Sequence, residues 1–325
     1  MRPTRTINDT ERIAFIVNPK SGGGRTSAKV SMLRNIAAQR FKNFNIFETL
    51  APNHAEKLAG DAARNGFDII AAVGGDGTAS EVVNGLLPGG IPISEKVVFT
   101  VIPGGTGSDL IKTLNIPNEM TAAIDVAANG ETRKCDVMTV SLTDEQTGML
   151  KTRVCINLVG FCSNGEVVAR VNRSSKRWGG TATFFSASLR TALTYRPPSV
   201  HLEWSTPNGE KVEHRQNILA AFLANGQFGG GGMWVAPKAR MDSGSMQMIL
   251  IPKLSTLRLL RYLPKLYSGT AGSAPGISEQ EIIYLKARAL EGDRIRVDVD
   301  GEQPGILPAE FSVCPKVLNI RALWG

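Results

Sequence analysis

The sequence predicts an α/β N-terminal domain built on a parallel sheet with Gly-rich turns, joined to a second domain that is mainly antiparallel and β-sandwich-like. Three observations carry this reading. From Arg12 to Cys135, short β-branched runs alternate with stretches of helical periodicity, the pattern of parallel strands covered by helices. Beyond Asp136 the apolar runs lengthen and turn residues separate them, as in antiparallel sheets. A chain of 325 residues also exceeds what one hydrophobic core ordinarily organises, so it divides. Residues 1–136 are expected to form the α/β domain and residues 137–315 the β-rich one, with the closing segment 316–325 able to return to the first.

In the first domain the apolar strands are Ile13–Val17, Asn45–Thr49, Asp68–Val73 and Val97–Ile102, each ending in a Gly-rich or Pro-containing turn. Helical periodicity fills the gaps near Thr26–Arg40, Asn53–Asn65 and Thr78–Leu87, with Asn53 as N-cap and Gly66 as C-terminal stop. In the second domain the strand runs are Val137–Leu142, Thr152–Leu158, Val200–Trp204, Ile218–Ala224, Met246–Ile251 and Arg294–Val299, with helices near Asn164–Val171, Thr181–Tyr195 and Ser255–Leu263. Val317–Ala322 reads as a last strand that either domain could take.

Composition narrows the function classes. Hydrophobic residues at 42% and charged residues at 20% exclude a disordered chain, and 6% aromatics are too few for a platform that stacks on bases, so nucleic acid is not an expected partner. A formal net charge of +8 favours anionic partners without choosing among them. Cys135, Cys155, Cys162 and Cys314 form no close pair and read as buried free thiols. The histidines lie far from the Gly-rich turns and support neither a Ser-His hydrolase nor a His-rich metal site. Met1 to Glu11 lacks the apolar core of a signal peptide, and no run approaches the ~18 apolar residues of a spanning helix. A cytoplasmic protein that meets a membrane only at its surface is expected.

The chemistry is carried by three turns. Val73-Gly74-Gly75-Asp76-Gly77-Thr78 sits between an apolar strand and a helix. Its glycines let backbone approach a ligand, and a helix N-terminus offers free N–H groups to phosphate. Asp76 beside phosphate oxygens makes sense when a Mg²⁺ ion bridges them. Pro103-Gly104-Gly105-Thr106-Gly107-Ser108-Asp109 repeats the arrangement, and Asn18-Pro19-Lys20-Ser21-Gly22-Gly23-Gly24-Arg25 adds two cations and a run of unhindered amides. The class is therefore an α/β domain with Gly-rich phosphate-binding turns. None of them matches a P-loop or a dinucleotide fingerprint.

In order and spacing these turns resemble the diacylglycerol kinase catalytic-domain family, which includes sphingosine kinases and bacterial lipid kinases. NAD kinases and phosphofructokinases share a similar Gly-Gly-Asp-Gly-Thr turn. The rest of the chain separates them: Asn225-Gly226, Gly229 to Gly232 and Ala236-Pro237-Lys238-Ala239 resemble the family's second-domain segment, and Asp300-Gly301-Glu302 its late acidic motif. The resemblance spans residues 11 to 323. It implies an ATP-dependent lipid kinase using Mg²⁺, with Glu302 as the base that takes the acceptor's proton, Asp76 beside the phosphates and Asp136 in the active-site charge network. The implied nucleotide contacts are Asn18, Pro19, Lys20, Ser21, Gly22, Thr49, Gly74, Gly75, Asp76, Gly77, Thr78, Ala79, Ser80 and Thr106. Two positions depart from the family pattern. Ser108 stands where Asn is usual, and Ser243 stands where bacterial members carry a metal-binding Asp, leaving the preceding Asp242 as the candidate metal ligand.

The implied partner is a membrane lipid reached from the bilayer surface, with peripheral membrane association. Lys253 to Tyr267 mixes leucines at 254, 257, 260 and 263 with Arg258, Arg261 and Lys265, the outline of an interfacial helix or of a stripe packed on the sandwich. Arg170, Arg173, Lys176, Arg177 and Trp178 form a second basic group, either headgroup-binding or solvated. Met233 and Trp234 could line an acyl cleft or belong to the core. The alternatives are an NAD kinase-like enzyme with a soluble substrate and a non-catalytic nucleotide or lipid sensor. The identity of the lipid acceptor and homodimer formation stay open.

Overall fold

The computed structural model describes residues 8–24, 26, 29–104, 108–167, 190–191, 194–255, 258, 262, 265, 267–270, 276–290 and 292–324. The chain forms two compact units: Met1–Cys135 together with Lys316–Gly325, and Asp136–Pro315.

In the first unit the strands are β1 (Asn8–Val17), β2 (Phe41–Glu48), β3 (Ile69–Gly74) and β4 (Val98–Pro103), and the helices are α1 (Val30–Ala38), α2 (His54–Arg64), α3 (Asp76–Leu86), α4 (Asp109–Thr113) and α5 (Met120–Asn129). All residues of β3 and β4 are buried, as are Ile13 to Val17, so these runs need no polar alternation. The strands lie parallel in the order β2-β1-β3-β4. β1 thus has β2 on one side and β3 on the other, so the connections leaving β1 and β3 run in opposite directions. Such a switch point opens a crevice at the carboxyl ends of the strands, where open α/β sheets bind ligands.

α2 stops as Gly66 implies. With φ at 75°, Gly66 donates its N–H to Ala63 O (3.3 Å), and Phe67 donates to Ala62 O (3.2 Å), which satisfies the last carbonyls. Asn53 occupies the N-cap position as expected, but in a left-handed backbone (φ 63°) and without a side-chain capping bond.

In the second unit the strands are β5 (Glu131–Thr143), which begins in the first, then β6 (Leu150–Cys155), β7 (Leu158–Cys162), β8 (Ser199–Ser205), β9 (Lys211–Ala224), β10 (Phe228–Gly229), β11 (Met233–Trp234), β12 (Met246–Pro252), β13 (Ser278–Ile282), β14 (Tyr284–Ala289), β15 (Arg296–Val299) and β16 (Glu302–Ala322), which ends in the first. Pairings within this unit are antiparallel. β9 changes partners along its length: its first half pairs with β8, its second with β7 and β12. Its burial switches from mostly exposed to continuous at the same point, so one strand serves both a solvated and a core environment. A large apolar cluster around Phe161, Phe311 and Leu223 fills one side. A smaller one takes Phe222, Ile251 and Tyr262.

The last residues of β16 run parallel to β4, pairing Asn319 with Val98 and Ile320 with Phe99. Arg321 locks this strand by donating from both Nη atoms to the Glu11 carboxylate at 2.8 Å. Among the described residues no helix is long and apolar enough to cross a membrane.

Candidate active site

At the switch point the three sequence turns are tied together by backbone. Asn18, the residue after β1, donates its N–H to Val73 O (3.0 Å) and its Nδ2 to Thr78 Oγ1 (3.3 Å), while its Oδ1 accepts from Lys20 N (3.0 Å). The first loop is thereby fastened to the turn after β3. Gly22 and Gly23 follow in left-handed backbone (φ 61° and 72°), a conformation other residues seldom adopt. The turn after β4 closes on the same place: Gly104 donates to Gly74 O (2.9 Å), and Thr26 Oγ1 lies 3.0 Å from Gly104 O. A Cβ on Gly104 would sit 2.6 Å from Thr26 Oγ1 and 3.0 Å from Gly74 Cα, and one on Gly74 would sit 2.4 Å from Thr78 Oγ1. Backbone stands where side chains would otherwise be.

A cavity of about 200 Å³ opens beside these turns. Asn18, Lys20 and Thr49 from the expected set line it, as does Glu81 of the helix after the second turn, and so do Leu50 and Pro52, which the motifs did not single out. Glu81 braces its rim by accepting from Ala55 N (3.0 Å), and Thr49 is fixed by donating its N–H to Val17 O (2.8 Å). Gly77 is exposed at the mouth of α3, and Lys20 is exposed as well. Thr78, Ala79 and Ser80 turn inward and are buried, and the Ala79 N–H is spent on Gly75 O (3.1 Å), so Ala79 has neither a side chain nor an amide to offer a ligand. Thr106, like Gly105, Gly107 and Arg25, lies outside the described residues.

Asp76 has an occupation the sequence did not reveal. Its Oδ2 accepts from Asp109 N (2.9 Å) and its Oδ1 from Leu110 N (3.1 Å) and the Ser108 hydroxyl, so the first residue of α3 caps the first turn of α4. Burial and then the nearby Asp109 charge push this carboxyl above its ordinary range, against the pull of the three donors. Ser108, read as a departure from the family pattern, is one of those donors.

In the second unit Glu302 opens β16, its side chain 36% exposed and 3.9 Å from Arg153 Nη2. The adjacent Asp300 is buried. It accepts from Ile156 N (2.9 Å), Asn157 N and Leu158 N (3.0 Å each) and the Cys155 thiol (3.1 Å), filling the break between β6 and β7. Asn225 closes that break from the other side, donating Nδ2 to Asp136 O (2.9 Å) and Ile156 O (2.8 Å), while its own N–H and that of Gly226 go to Asn157 O. Asp136 is fully buried and accepts from Gly244 N (2.6 Å).

Asp242, the candidate metal ligand, is instead paired with Arg240 at 3.1 Å, and Ser243 bonds to Arg240 O and Ser245. Among the described residues no three His, Cys, Asp or Glu side chains gather to hold a metal. A Mg²⁺ site made from protein side chains alone does not fit them. Met233 lies in the smaller apolar cluster, and Trp234 stacks on Phe228 with centroids 5.6 Å apart. Of the expected interfacial segment, Arg258 and Lys265 are exposed and Tyr262 is buried, while residues 257, 260, 261 and 263 lie outside the described set, as does the basic group at 170–178.

Comparison with known proteins completes the assignment. The family described as "Diacylglycerol kinase catalytic domain" matches residues 12–140, and "YegS C-terminal NAD kinase beta sandwich-like domain" matches residues 157–322. The diacylglycerol kinase of Bacillus subtilis (strain 168) is 28% identical over 312 residues, covering 93% of each chain. That of Staphylococcus carnosus (strain TM300) is 27% identical over 311 residues, covering 93% of this chain and 92% of its own. A crystal structure of a diacylglycerol kinase from Bacillus anthracis str. Sterne shares the fold, with a TM-score of 0.73 at 21% identity over 96% of this chain and 97% of that one. The chain therefore belongs to the diacylglycerol kinase family of lipid kinases, a diacylglycerol kinase catalytic domain followed by a YegS-type β-sandwich domain.

Proposed function

We propose that the protein transfers the γ-phosphate of ATP to the hydroxyl group of a lipid, with diacylglycerol, a sphingoid base or a related lipid as acceptor. The observation that carries this is the convergence of the turns after β1, β3 and β4 at the switch point of the first unit, beside a cavity of about 200 Å³. Asn18 to Gly22, Thr49, Gly74 to Ser80 and Thr106 are the proposed nucleotide contacts, with free N–H groups of the Gly-rich turns directed to phosphate oxygens and Leu50 and Pro52 available to the less polar part of the nucleotide. Ala79 is the weakest of these, given its spent amide. Lys20, exposed at the cavity, supplies positive charge. Mg²⁺ brought in as the ATP complex would supply charge neutralisation at the phosphates. Asp76 contributes by holding α4 and the turn before it in place.

Glu302 accepts the proton of the attacking hydroxyl, as the new O–P bond forms and the bond from the γ-phosphorus to ADP breaks. Its exposure leaves it open to a substrate, which the buried Asp300 is not. The lipid is met at the bilayer surface of the cytoplasmic face.

The test is a labelled-ATP assay with purified protein and vesicles carrying diacylglycerol, a sphingosine or ceramide, with NAD as a soluble control. Transfer to one of the lipids is expected, and Glu302→Gln is expected to lower kcat by about 100-fold or more while ATP binding persists. Transfer to NAD alone, or none to any acceptor with nucleotide still bound, would overturn the reading.

A further inference from the structure

The hairpin that presents Glu302 is braced from both sides by buried carboxylates, and only one of them, Asp300, belongs to the sequence motif. Asp300 and Gly301 are both left-handed (φ 50° and 88°), and Val299 pairs with Glu302 across them. A two-residue turn of this kind matches the twist of its strands, but an Asp in that backbone is retained only where its surroundings determine it. The four donors to Asp300 do so. The other half of the turn is held by Asp298. Its Oδ1 accepts from Gly301 N (2.9 Å) and its Oδ2 from Asn164 Nδ2 (3.1 Å). Asp298 and Asn164 are 5% and 6% exposed. Asn164 packs against Gly160, where a Cβ would be 1.8 Å from Nδ2. Gly160, Asn164, Asp298 and Gly301 thus make one connected brace running from β7 to the catalytic turn.

This brace is expensive as a purely structural element. Among the described residues Asp298 has two N–H donors and no cation, and a desolvated carboxylate is not fully compensated by two neutral donors. An apolar residue between Val297 and Val299 would serve a buried strand better. We infer that Asp298 is a positioning residue for phosphoryl transfer: through the Gly301 N–H it fixes the turn that aims the Glu302 carboxylate, and Asn164 holds it in that rotamer. The inference rests on Glu302 as base. Rotation about the backbone at Gly301, which carries no Cβ, is the motion that would swing Glu302 away, and the Asp298 bond is made to that residue's amide.

The test is steady-state kinetics of the full-length protein on ATP and diacylglycerol vesicles for Glu302→Gln, Asp298→Asn, Asp298→Leu and Asn164→Leu, with Tm measured alongside. Asp298→Leu is expected to lower kcat by about tenfold or more, with KM for ATP within about twofold and Tm not lowered. Asp298→Asn is expected to keep most of kcat, because its amide oxygen still accepts from Gly301 and a flipped Asn164 amide restores the second bond. Asn164→Leu should show the same kcat-specific loss in weaker form, and it decides the matter on the same criteria if Asp298→Leu does not fold. Unchanged kcat in Asp298→Leu, or in Asn164→Leu where that variant decides, beside an inactive Glu302→Gln overturns this inference alone. A loss in Asp298→Asn as deep as in Asp298→Leu also overturns it, since the acceptor oxygen is retained there. An active Glu302→Gln brings down the base assignment and this inference with it.

Discussion

Asp76 shows how one side chain can be legible in kind while its hydrogen-bond partners are not. Its place between two Gly-rich turns suggested a metal-bridged contact with phosphate, whereas its oxygens are engaged by Ser108, Asp109 N and Leu110 N. Asp76→Ala removes a helix cap, so it should cost about 1–2 kcal/mol in urea unfolding and lower phosphoryl transfer sharply by loosening the turn before α4. Unchanged stability would contradict the capping role. Asp298 makes a prediction in the opposite sense. Burial and then the Asp300 charge push its carboxyl well above the ordinary range, so the folded protein binds that proton more tightly than the unfolded chain. Stability is then lost as pH rises through the window above the unfolded carboxylate value, and Asp298→Asn removes that loss. The variant's Tm advantage should be near zero at about pH 4 or below and grow toward neutral pH. A difference in Tm that is flat across this range would exclude the effect.

At the scale of elements, the site depends on strand ends approaching too closely for side chains. Gly104→Ala would place its Cβ 3.0 Å from Gly74 Cα, an atom that cannot swing aside, so β3 and β4 must separate at their ends. A destabilisation of about 1–3 kcal/mol is expected, with weaker nucleotide binding by titration calorimetry. Gly77→Ala is the contrast in stability: nothing lies within 4 Å of its Cβ position, and the helix-propensity gain is up to about 1 kcal/mol. The sheet and its turns were legible because continuous apolar runs ending in glycine leave few alternatives. β13 and β14 were not, since Ser278–Ile282 and Tyr284–Ala289 are partly exposed and polar, and their partners lie far along the chain. Asn53 was rightly read as the N-cap position, whereas its left-handed backbone and the missing side-chain bond are properties of the loop it closes. Leu50 and Pro52 belong to no motif. They join the cavity through the packing of α2 against its neighbours, which a linear pattern does not record.

At the scale of the whole molecule, the charge of +8 is the property through which the proposed encounter with a bilayer can be tested. Attraction to an anionic surface is long-range only at low ionic strength, so sedimentation with anionic vesicles should exceed that with zwitterionic ones at about 0.05 M salt and fall off by about 0.5 M. Equal binding to both at low salt would assign membrane contact to apolar insertion instead. The way the chain closes has a consequence for biosynthesis. Asn319 and Ile320 supply the neighbour of β4 within the first unit, and residues 136–315 intervene before they emerge from the ribosome. Until then β4 presents an unpaired backbone edge, the kind of surface that recruits stray strands. The nascent kinase therefore passes through a period in which its first unit is nearly complete yet prone to aggregate, and chaperone dependence during translation should be set by how long the last strand is delayed.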